Sequence, residues 1–104
     1  MRSKLKLVAK KVVIYSKPGC PYCTMAKGIF TKFYLGKGDL DDEDYEVIEL
    51  TKLPNGSQVQ AELAKMTHAR TVPRVFINGK CVGGGSETEQ LHKTKQLGQM
   101  LKSK

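Results

Sequence analysis

The feature of this chain that most constrains its fold is the apolar segment Val-Val-Ile-Tyr-Ser at residues 12–16. β-branched and aromatic residues favour strands, and an apolar run without polar alternation is typical of a strand that is covered on both faces. The segment Lys-Pro-Gly-Cys-Pro-Tyr at 17–22 then breaks this strand, because proline and glycine interrupt regular pairing. A buried central strand needs packed layers on both sides of its sheet, and the rest of the chain must supply them.

A helix is predicted directly after this break, because the spacing of the apolar residues changes there. Pro21 suits a first helical turn, where a missing N–H costs little, and Gly36 and Gly38 are expected to end the helix. One predicted face carries four apolar side chains at the i, i+3, i+4 and i+7 positions, namely Ala26, Ile29, Phe30 and Phe33.

A second strand and a second helix follow. After an acidic segment at 39–44, which we expect to be a loop, residues 45–50 predict a strand. Ser57 is then expected to cap a helix. The apolar face of that helix would be formed by Val59, Leu63 and Met66.

The last third of the chain predicts a hairpin and a final helix. Residues 72–77 predict a strand, Asn78-Gly79 is a strong hairpin signal, and 80–83 would return. Ser86 and Glu89 match a capping box, which predicts a helix from Ser86. The element order βαβαββα with one parallel crossover indicates an α/β fold class: a four-stranded mixed sheet with helices on both faces.

Length and charge limit the possible classes of protein. The length of 104 residues suits one domain, so we divide the chain into a basic leader at 1–10, for which disorder is one expectation, and a domain at 11–104. The net charge is +8 although acids cluster at 39–49, and such a field attracts anionic partners. No apolar run suits a membrane span or a signal peptide, so we expect no membrane partner and a cytoplasmic location.

Two cysteines, Cys20 and Cys23, fall where the first strand gives way to the first helix. Free N–H groups and the helix dipole favour negative charge at a helix N-terminus, and the thiolate is the reactive form of cysteine. Lys17 adds a positive charge nearby. We therefore expect Cys20 to be an exposed nucleophile and Cys23, one turn deeper, to be its resolving partner.

Three uses of this pair are open at this point. A structural disulfide across so short a loop would stabilise little. A zinc half-site needs two more ligands, for which the chain offers Cys81, His68 and His92 without a second closely spaced pair. A pair that cycles between dithiol and disulfide is favoured by its place beside a βαβ pattern, and no metal is expected. Cys81 is expected at the sheet edge as a small apolar residue, with an accessory thiol as the alternative.

The chain resembles the glutaredoxins, specifically their dithiol group, over about residues 11–102. Three motifs carry the resemblance: Cys-Pro-Tyr-Cys at 20–23, Thr-Val-Pro at 71–73, and the glycine pair at 83–84 with Ser86-Glu87 after it. The resemblance implies a thioredoxin-like fold in which Pro73 is cis. It also implies a glutathione-dependent thiol–disulfide oxidoreductase. Cys20 alone would reduce protein–glutathione mixed disulfides, and Cys20 with Cys23 would reduce protein disulfides.

The resemblance further implies which residues contact glutathione, the expected co-substrate. The backbone of Val72 would pair with its peptide, and Lys17, assisted by Gln60 and Arg70, would meet its glycine carboxylate. The N–H groups that open the last helix would hold the γ-glutamyl carboxylate, and the glycine pair would let the backbone approach the ligand. The complete implied set is Lys17, Tyr22, Gln60, Arg70, Thr71, Val72, Pro73, Gly83, Gly84, Ser86 and Glu87.

The chain departs from the family pattern at Glu87, where aspartate is usual, and at His68, where glycine is frequent.

The expected partners are glutathione or a related small thiol, together with glutathionylated and disulfide-bearing proteins. The chain itself is expected to be a monomer. Alternative functions are an iron–sulfur carrier that uses Cys20 from each of two chains, and a thioredoxin-like reductase independent of glutathione. A nucleic-acid-binding module is not expected, because the sequence offers no base-reading motif.

Overall fold

The computed structural model describes residues 10–102, so the predicted leader lies outside the described residues except for Lys10. The strands are β1 (Val12–Ser16), β2 (Tyr45–Glu49), β3 (Arg74–Ile77) and β4 (Lys80–Gly83). The helices are α1 (Pro21–Phe33), α2 (Gly56–Thr67), α3 (Gly85–Lys93) and α4 (Gln96–Lys102), with short 3₁₀ turns at Asp42–Asp44 and Leu50–Lys52. Within residues 10–102 no helix has the length and apolar character that a membrane crossing requires.

The four strands form one mixed sheet in the order β2-β1-β3-β4. β1 pairs in parallel with β2 and antiparallel with β3, and β4 returns antiparallel to β3. Every residue of β1 is buried, which confirms the central strand that the apolar segment predicts. The expected hairpin is also present, since β3 and β4 pair antiparallel. In its turn, Asn78 and Gly79 both take the positive φ angles that such hairpin turns require, of 52° and 84°.

Side chains that alternate along β1 enter two separate cores, which confirms helices on both faces of the sheet. Val12 and Ile14 face a core that α1 and α4 cover, whose helical members include Phe30 and Leu97. Val13 and Tyr15 face the opposite core, which α2 covers with two buried side chains, Val59 and Leu63. Burial of apolar area on both faces is the main source of stability for such a sheet.

Two predicted core residues are exposed, so these assignments were wrong. Phe33 retains 54% of its surface and Met66 retains 44%. Both lie in the last turn of their helices, α1 and α2. At the end of α1, Tyr34 is the aromatic residue that enters the core, where its ring centroid lies 6.3 Å from that of Phe30. Phe33 instead packs its ring on His92 at 4.5 Å between centroids.

The ends of α2 also differ from the sequence prediction. Ser57 lies inside the helix, which begins at Gly56 with Asn55 at the N-cap and no side-chain capping bond. A Cβ atom on Gly56 would collide with the backbone of Leu50 in the preceding turn, so the close approach of that turn requires glycine at the first position of the helix. At the other end, His68 has a φ of 61°, the left-handed conformation in which helices commonly end.

The predicted last helix is two helices, α3 and α4, separated where Lys95 takes a φ of 69°. The predicted capping box was also two residues out of place. Gly84 is the N-cap of α3, and its N–H donates to Glu87 Oε1 at 2.8 Å, so Glu87 rather than Glu89 caps the helix. The strand predicted from 72 begins at Arg74, because the two preceding residues belong to the turn at Pro73.

The buried and exposed aromatic residues of α1 give a matched test of the core. Phe30 is fully buried, so Phe30→Ala is expected to lower the free energy of unfolding by about 3–5 kcal/mol. Phe33→Ala should cost less than about 1 kcal/mol, because that ring is half exposed. Urea unfolding followed by circular dichroism measures both values. Equal losses in the two variants would contradict the assignment of Phe30 to the core.

Capping of α3 by Glu87 predicts a pH-dependent contribution to stability. The N–H groups of Gly84 and Glu87, and more weakly the charge of Arg74, lower the pKa of Glu87 below its usual 4.5. A lowered pKa means that the carboxylate stabilises the fold above about pH 4.5 and that this stabilisation is lost as the pH falls through the lowered value.

Glu87→Gln should therefore lower the free energy of unfolding at pH 7 by less than about 1 kcal/mol, because the group is exposed and screened. The difference from the unaltered protein should shrink as the pH falls through the lowered pKa of Glu87. Glu89→Gln is the control, because Glu89 makes only an exposed pair with Lys93 at 3.8 Å. Thermal unfolding between pH 3 and pH 7 measures both, and a Glu87→Gln loss that does not decrease as the pH is lowered would argue against the carboxylate cap.

Candidate active site

Cys20 occupies the N-cap of α1, the position that the sequence predicts for the nucleophile. Its extended backbone ends the loop after β1, and Pro21 begins the helix behind it. The N–H of Cys23 donates to Cys20 Sγ at 3.1 Å, so the sulfur takes the place of the oxygen that usually caps a helix. Such donation favours a negatively charged sulfur.

The two cysteines differ in exposure as predicted. Cys20 is half-buried and Cys23 is fully buried, at 0% exposure, and both are free thiols in this structure. Burial raises the pKa of Cys23 above its usual 9.0, and the side chain of Cys20 acts in the same direction. The backbone of Lys17 and the hydroxyl of Ser16 act in the opposite direction and lower it. The Cys23 sulfur is therefore expected to remain a protonated thiol while the Cys20 sulfur is accessible to substrate.

The turn at 71–73 lies directly against Cys20. The Val72–Pro73 peptide bond is cis, which confirms the prediction for Pro73. Cys20 Sγ donates to the carbonyl oxygen of Val72 at a distance of 3.6 Å. The backbone of this turn thus lies beside the half-buried sulfur, where a peptide could pair with it.

A groove of about 400 Å³ opens on one side of this turn. Most of the residues that the resemblance assigns to the γ-glutamyl end of glutathione lie along it, and the N-terminus of α3 faces it. The lining residues are Tyr22, Thr71, Val72, Pro73, Arg74, Gly84, Gly85, Ser86 and Glu87. Tyr22 is 57% exposed, so it is available to a ligand and contributes little to the core.

Lys17 and Gln60 lie together along a second cavity of about 320 Å³ at the N-terminus of α2. Gln60 Nε2 donates to the carbonyl oxygen of Arg70 at 2.8 Å, which ties α2 to the loop that precedes the cis proline. The Arg70 side chain is exposed and borders a different cavity, beside His68. The structure therefore brings Lys17 and Gln60 together, and it joins Arg70 to them through its backbone.

The glycine run at 83–85 is explained by internal packing. A Cβ on Gly83, whose φ is +119°, would lie 2.7 Å from the Cβ of Glu87, and Gly83 does not line the groove. A Cβ on Gly84 would lie 2.9 Å from Arg74 Nη2, and one on Gly85 would lie 2.9 Å from the carbonyl oxygen of Tyr22. These contacts bring α3 close to α1 and β3.

Arg74 is a site residue that the sequence reasoning missed. It is 9% exposed, and its Nε donates to the carbonyl oxygen of Pro73 at 3.0 Å. Its charge lowers the pKa of Glu87, which lines the same groove. The available signal was a charged residue at the head of an otherwise apolar strand, because a buried charge needs a partner and often marks a site.

The zinc alternative is not supported by the described residues. Within residues 10–102 no group of three or more His, Cys, Asp or Glu side chains could hold a metal ion. The proposed ligands are separately engaged: His92 Nδ1 lies 2.8 Å from the Tyr34 hydroxyl, and His68 ends α2. Cys81 is half-buried on the edge strand β4 and packs against the α2 core, in agreement with its expected apolar role.

Comparisons with known proteins identify the family. The family model described as Glutaredoxin matches residues 12–82. Bovine (Bos taurus) "Glutaredoxin-2, mitochondrial" is 48% identical over 86 residues, which are 83% of this chain and 50% of that protein. Mouse (Mus musculus) "Glutaredoxin-1" is 38% identical over 97 residues, which are 93% of this chain and 86% of that protein.

Among solved structures, a buckwheat glutaredoxin–glutathione complex has a TM-score of 0.80 and 34% identity, and the match covers 91% of this chain and 79% of that one. The chain spans about half the length of the mitochondrial relatives that it matches. The mixed sheet and its helices thus form a thioredoxin-like fold. Because the family model includes the central strand, the cysteine pair and the cis-proline turn, the chain belongs to the glutaredoxin family.

Proposed function

We propose that this chain is a glutathione-dependent thiol–disulfide oxidoreductase that acts through Cys20 and Cys23. The observation that carries the proposal is the N-cap position of Cys20 Sγ, which accepts the N–H of Cys23 at 3.1 Å beside the Val72 carbonyl. Membership of the glutaredoxin family supports it, and a buckwheat relative forms a glutathione complex. No metal is needed for this chemistry.

The single-cysteine reaction uses Cys20 alone. Its thiolate attacks the glutathione sulfur of a protein–glutathione mixed disulfide, and the protein sulfur leaves as a thiolate that takes up a proton. The new disulfide joins Cys20 to glutathione. A second glutathione thiolate then attacks the glutathione sulfur, so glutathione disulfide leaves and the Cys20 thiolate returns.

Protein disulfides require Cys23 as well. The Cys20 thiolate forms a mixed disulfide with the substrate protein, and the sulfur of Cys23 then attacks Cys20 Sγ. The substrate leaves in its reduced form, and the enzyme holds a Cys20–Cys23 disulfide. Two glutathione molecules restore the dithiol and leave as glutathione disulfide. The spacing of one helical turn between the cysteines suits this intramolecular step.

The two cavities suit the two ends of glutathione. The groove at the N-terminus of α3 would take the γ-glutamyl carboxylate on the N–H groups of Ser86 and Glu87. Lys17, with Gln60, would take the glycine carboxylate at the other end. The Val72 backbone lies between them beside Cys20, where it would pair with the peptide of the ligand.

Location and oligomeric state belong to the same proposal. We keep the cytoplasmic monomer as the working prediction, while the word "mitochondrial" in the names of several mammalian relatives argues for another compartment. Fluorescence microscopy of the tagged full-length protein, together with sedimentation of the purified one, tests both points. A mitochondrial signal would replace the cytoplasmic prediction.

Serine variants test the assignment of the cysteines. Cys20→Ser should abolish glutathione-dependent reduction of a glutathionylated peptide, because the nucleophile is lost. Cys23→Ser should keep most of that activity and lose most protein-disulfide reduction, because only the second reaction needs a resolving thiol. A coupled assay that follows NADPH consumption by glutathione reductase measures both reactions.

Cys81→Ser is the matched control, because that thiol lies on β4, away from the N-cap of α1, and should leave both rates unchanged. Substantial activity of Cys20→Ser would refute the assignment. Equal turnover without glutathione, when a flavoprotein reductase supplies the electrons, would support the thioredoxin-like alternative instead.

Lys17 tests the placement of glutathione. Lys17→Gln should raise the KM for glutathione by about threefold to tenfold, because a charge-assisted contact to a carboxylate is lost at a half-buried position. The rate at saturating glutathione should change little. Lys32→Gln at the end of α1 removes an exposed lysine as a control for net charge. If the two variants raise the KM for glutathione equally, the cause is the loss of net positive charge, and a local contact between Lys17 and glutathione is disproved.

A further inference from the structure

The single-cysteine and two-cysteine reactions assign no role to the buried hydroxyl of Ser16, which lies near the cysteine pair. Ser16 is the last residue of β1 and is fully buried, at 0% exposure. Its Oγ has no hydrogen-bond partner among the described residues. A buried donor without a partner costs free energy, so its presence calls for a physical explanation.

The geometry of the sheet directs this hydroxyl towards Cys23. Val12 and Ile14 face the α1 side of the sheet, and Ser16, two residues further along the strand, shares that face. Cys23 lies on the buried face of α1 above it. The hydroxyl is close enough to Cys23 to lower the pKa of the thiol, although the two groups are not aligned as a hydrogen bond in this dithiol state.

The backbone of Lys17 also lowers the pKa of Cys23, and the other side chains near this position are already engaged or are anionic. Glu49 is the ladder partner of Ser16 on β2, and its Oε2 pairs with Lys27 Nζ at 3.0 Å. Lys27 lies one turn beyond Cys23 on α1, and its ammonium group is engaged by the ion pair with Glu49. Glu49 Oε1 is buried without a partner and can only accept while the carboxylate is ionised. Ser16 is therefore the side chain in this group that can donate to a negatively charged sulfur.

Such a donor is needed only in the two-cysteine reaction. The single-cysteine reaction leaves Cys23 as a neutral thiol throughout. The two-cysteine reaction places negative charge on a fully buried sulfur, both when Cys23 attacks and when it leaves, and burial makes that charge costly. Donors that are already in position reduce this cost without rearrangement during the reaction.

We propose that the Ser16 hydroxyl is a catalytic group of the dithiol reaction, where it donates a hydrogen bond to Cys23 Sγ whenever that sulfur carries negative charge. The inference rests on the proposed function. On attack, Cys23 gives its proton to solvent, its sulfur bonds to Cys20 Sγ, and the substrate sulfur leaves and is protonated. On regeneration, a glutathione thiolate attacks Cys20 Sγ, and Cys23 leaves as a thiolate that regains a proton. Ser16 keeps its own proton throughout.

The first test measures Cys23 directly and does not depend on activity. In a Cys20→Ser, Cys81→Ser background, Cys23 is the remaining thiol, and the ¹³Cβ chemical shift followed against pH gives its pKa. Ser16→Ala should raise that pKa by about one unit, because a hydrogen bond to a charged group is lost. Ser16→Thr keeps the hydroxyl and should leave the pKa near its original value. Thr31→Ala, which removes an exposed hydroxyl bonded to Lys27 O, should not change it.

The second test compares the two reactions in the protein with all three cysteines. Ser16→Ala should slow glutathione-driven reduction of a protein disulfide by about tenfold, and it should leave deglutathionylation of a peptide within about twofold. Ser16→Thr should restore the first rate. Circular dichroism checks that each variant is folded, and Ser16→Gly serves as a second variant without the hydroxyl.

An unchanged Cys23 pKa in folded Ser16→Ala or Ser16→Gly would overturn the inference, as would equal slowing of both reactions. Failure of the proposed function has a different signature. In that case the unaltered protein shows no glutathione-dependent turnover, while the titration of Cys23 still reports whether Ser16 contacts it.

Discussion

Burial of β1 on both faces is the constraint on which the rest of this molecule depends. Its five residues pair with β2, residues 12–15 also pair with β3, and their alternating side chains enter both cores. The strand ends at Ser16, and five residues later the chain is already helical at Pro21. Cys20 becomes an N-cap because a strand fixed in the middle of the molecule stops one short loop before a helix that packs on it. The position of the reactive sulfur is therefore a property of the whole sheet.

The sequence predicts most of this architecture because its strongest signals are local. The apolar run at 12–16, the helical spacing after Pro21 and the Asn78-Gly79 turn each specify an element through their own residues. The prediction errors occur where contacts between segments distant in sequence determine which residues are buried and where helices end. Phe33 continues the apolar spacing of α1 but lies in its last turn, so Tyr34 enters the core instead. The first residue of α2, Gly56, packs directly against the backbone of Leu50, and no residue near Ser57 reveals that contact.

In the candidate site, too, the features with local sequence signals could be predicted, and those that depend on contacts between distant segments could not. The cysteine pair and the cis proline are visible as motifs, so their neighbourhood could be predicted, and the resemblance supplied the residues around the groove. The capping of α3 by Glu87 and the buried guanidinium of Arg74 could not be predicted, because both depend on how the hairpin returns to the end of β3. Departure from the family's usual aspartate at Glu87 also has a physical meaning here, since the longer side chain folds back onto the N–H of Gly84.

The narrow space between Gly84 and Arg74 has an evolutionary consequence. A methyl group at residue 84 and a guanidinium at residue 74 compete for the same volume, because the added Cβ would lie 2.9 Å from Nη2. Residue 84 is therefore restricted to glycine while the Arg74 guanidinium keeps its present position, whereas glycine at 84 sets no such limit on residue 74. Among descendants of this chain, alanine or serine at 84 should be favoured where residue 74 has become shorter or its guanidinium has moved, so the two sites would covary despite their distance in sequence.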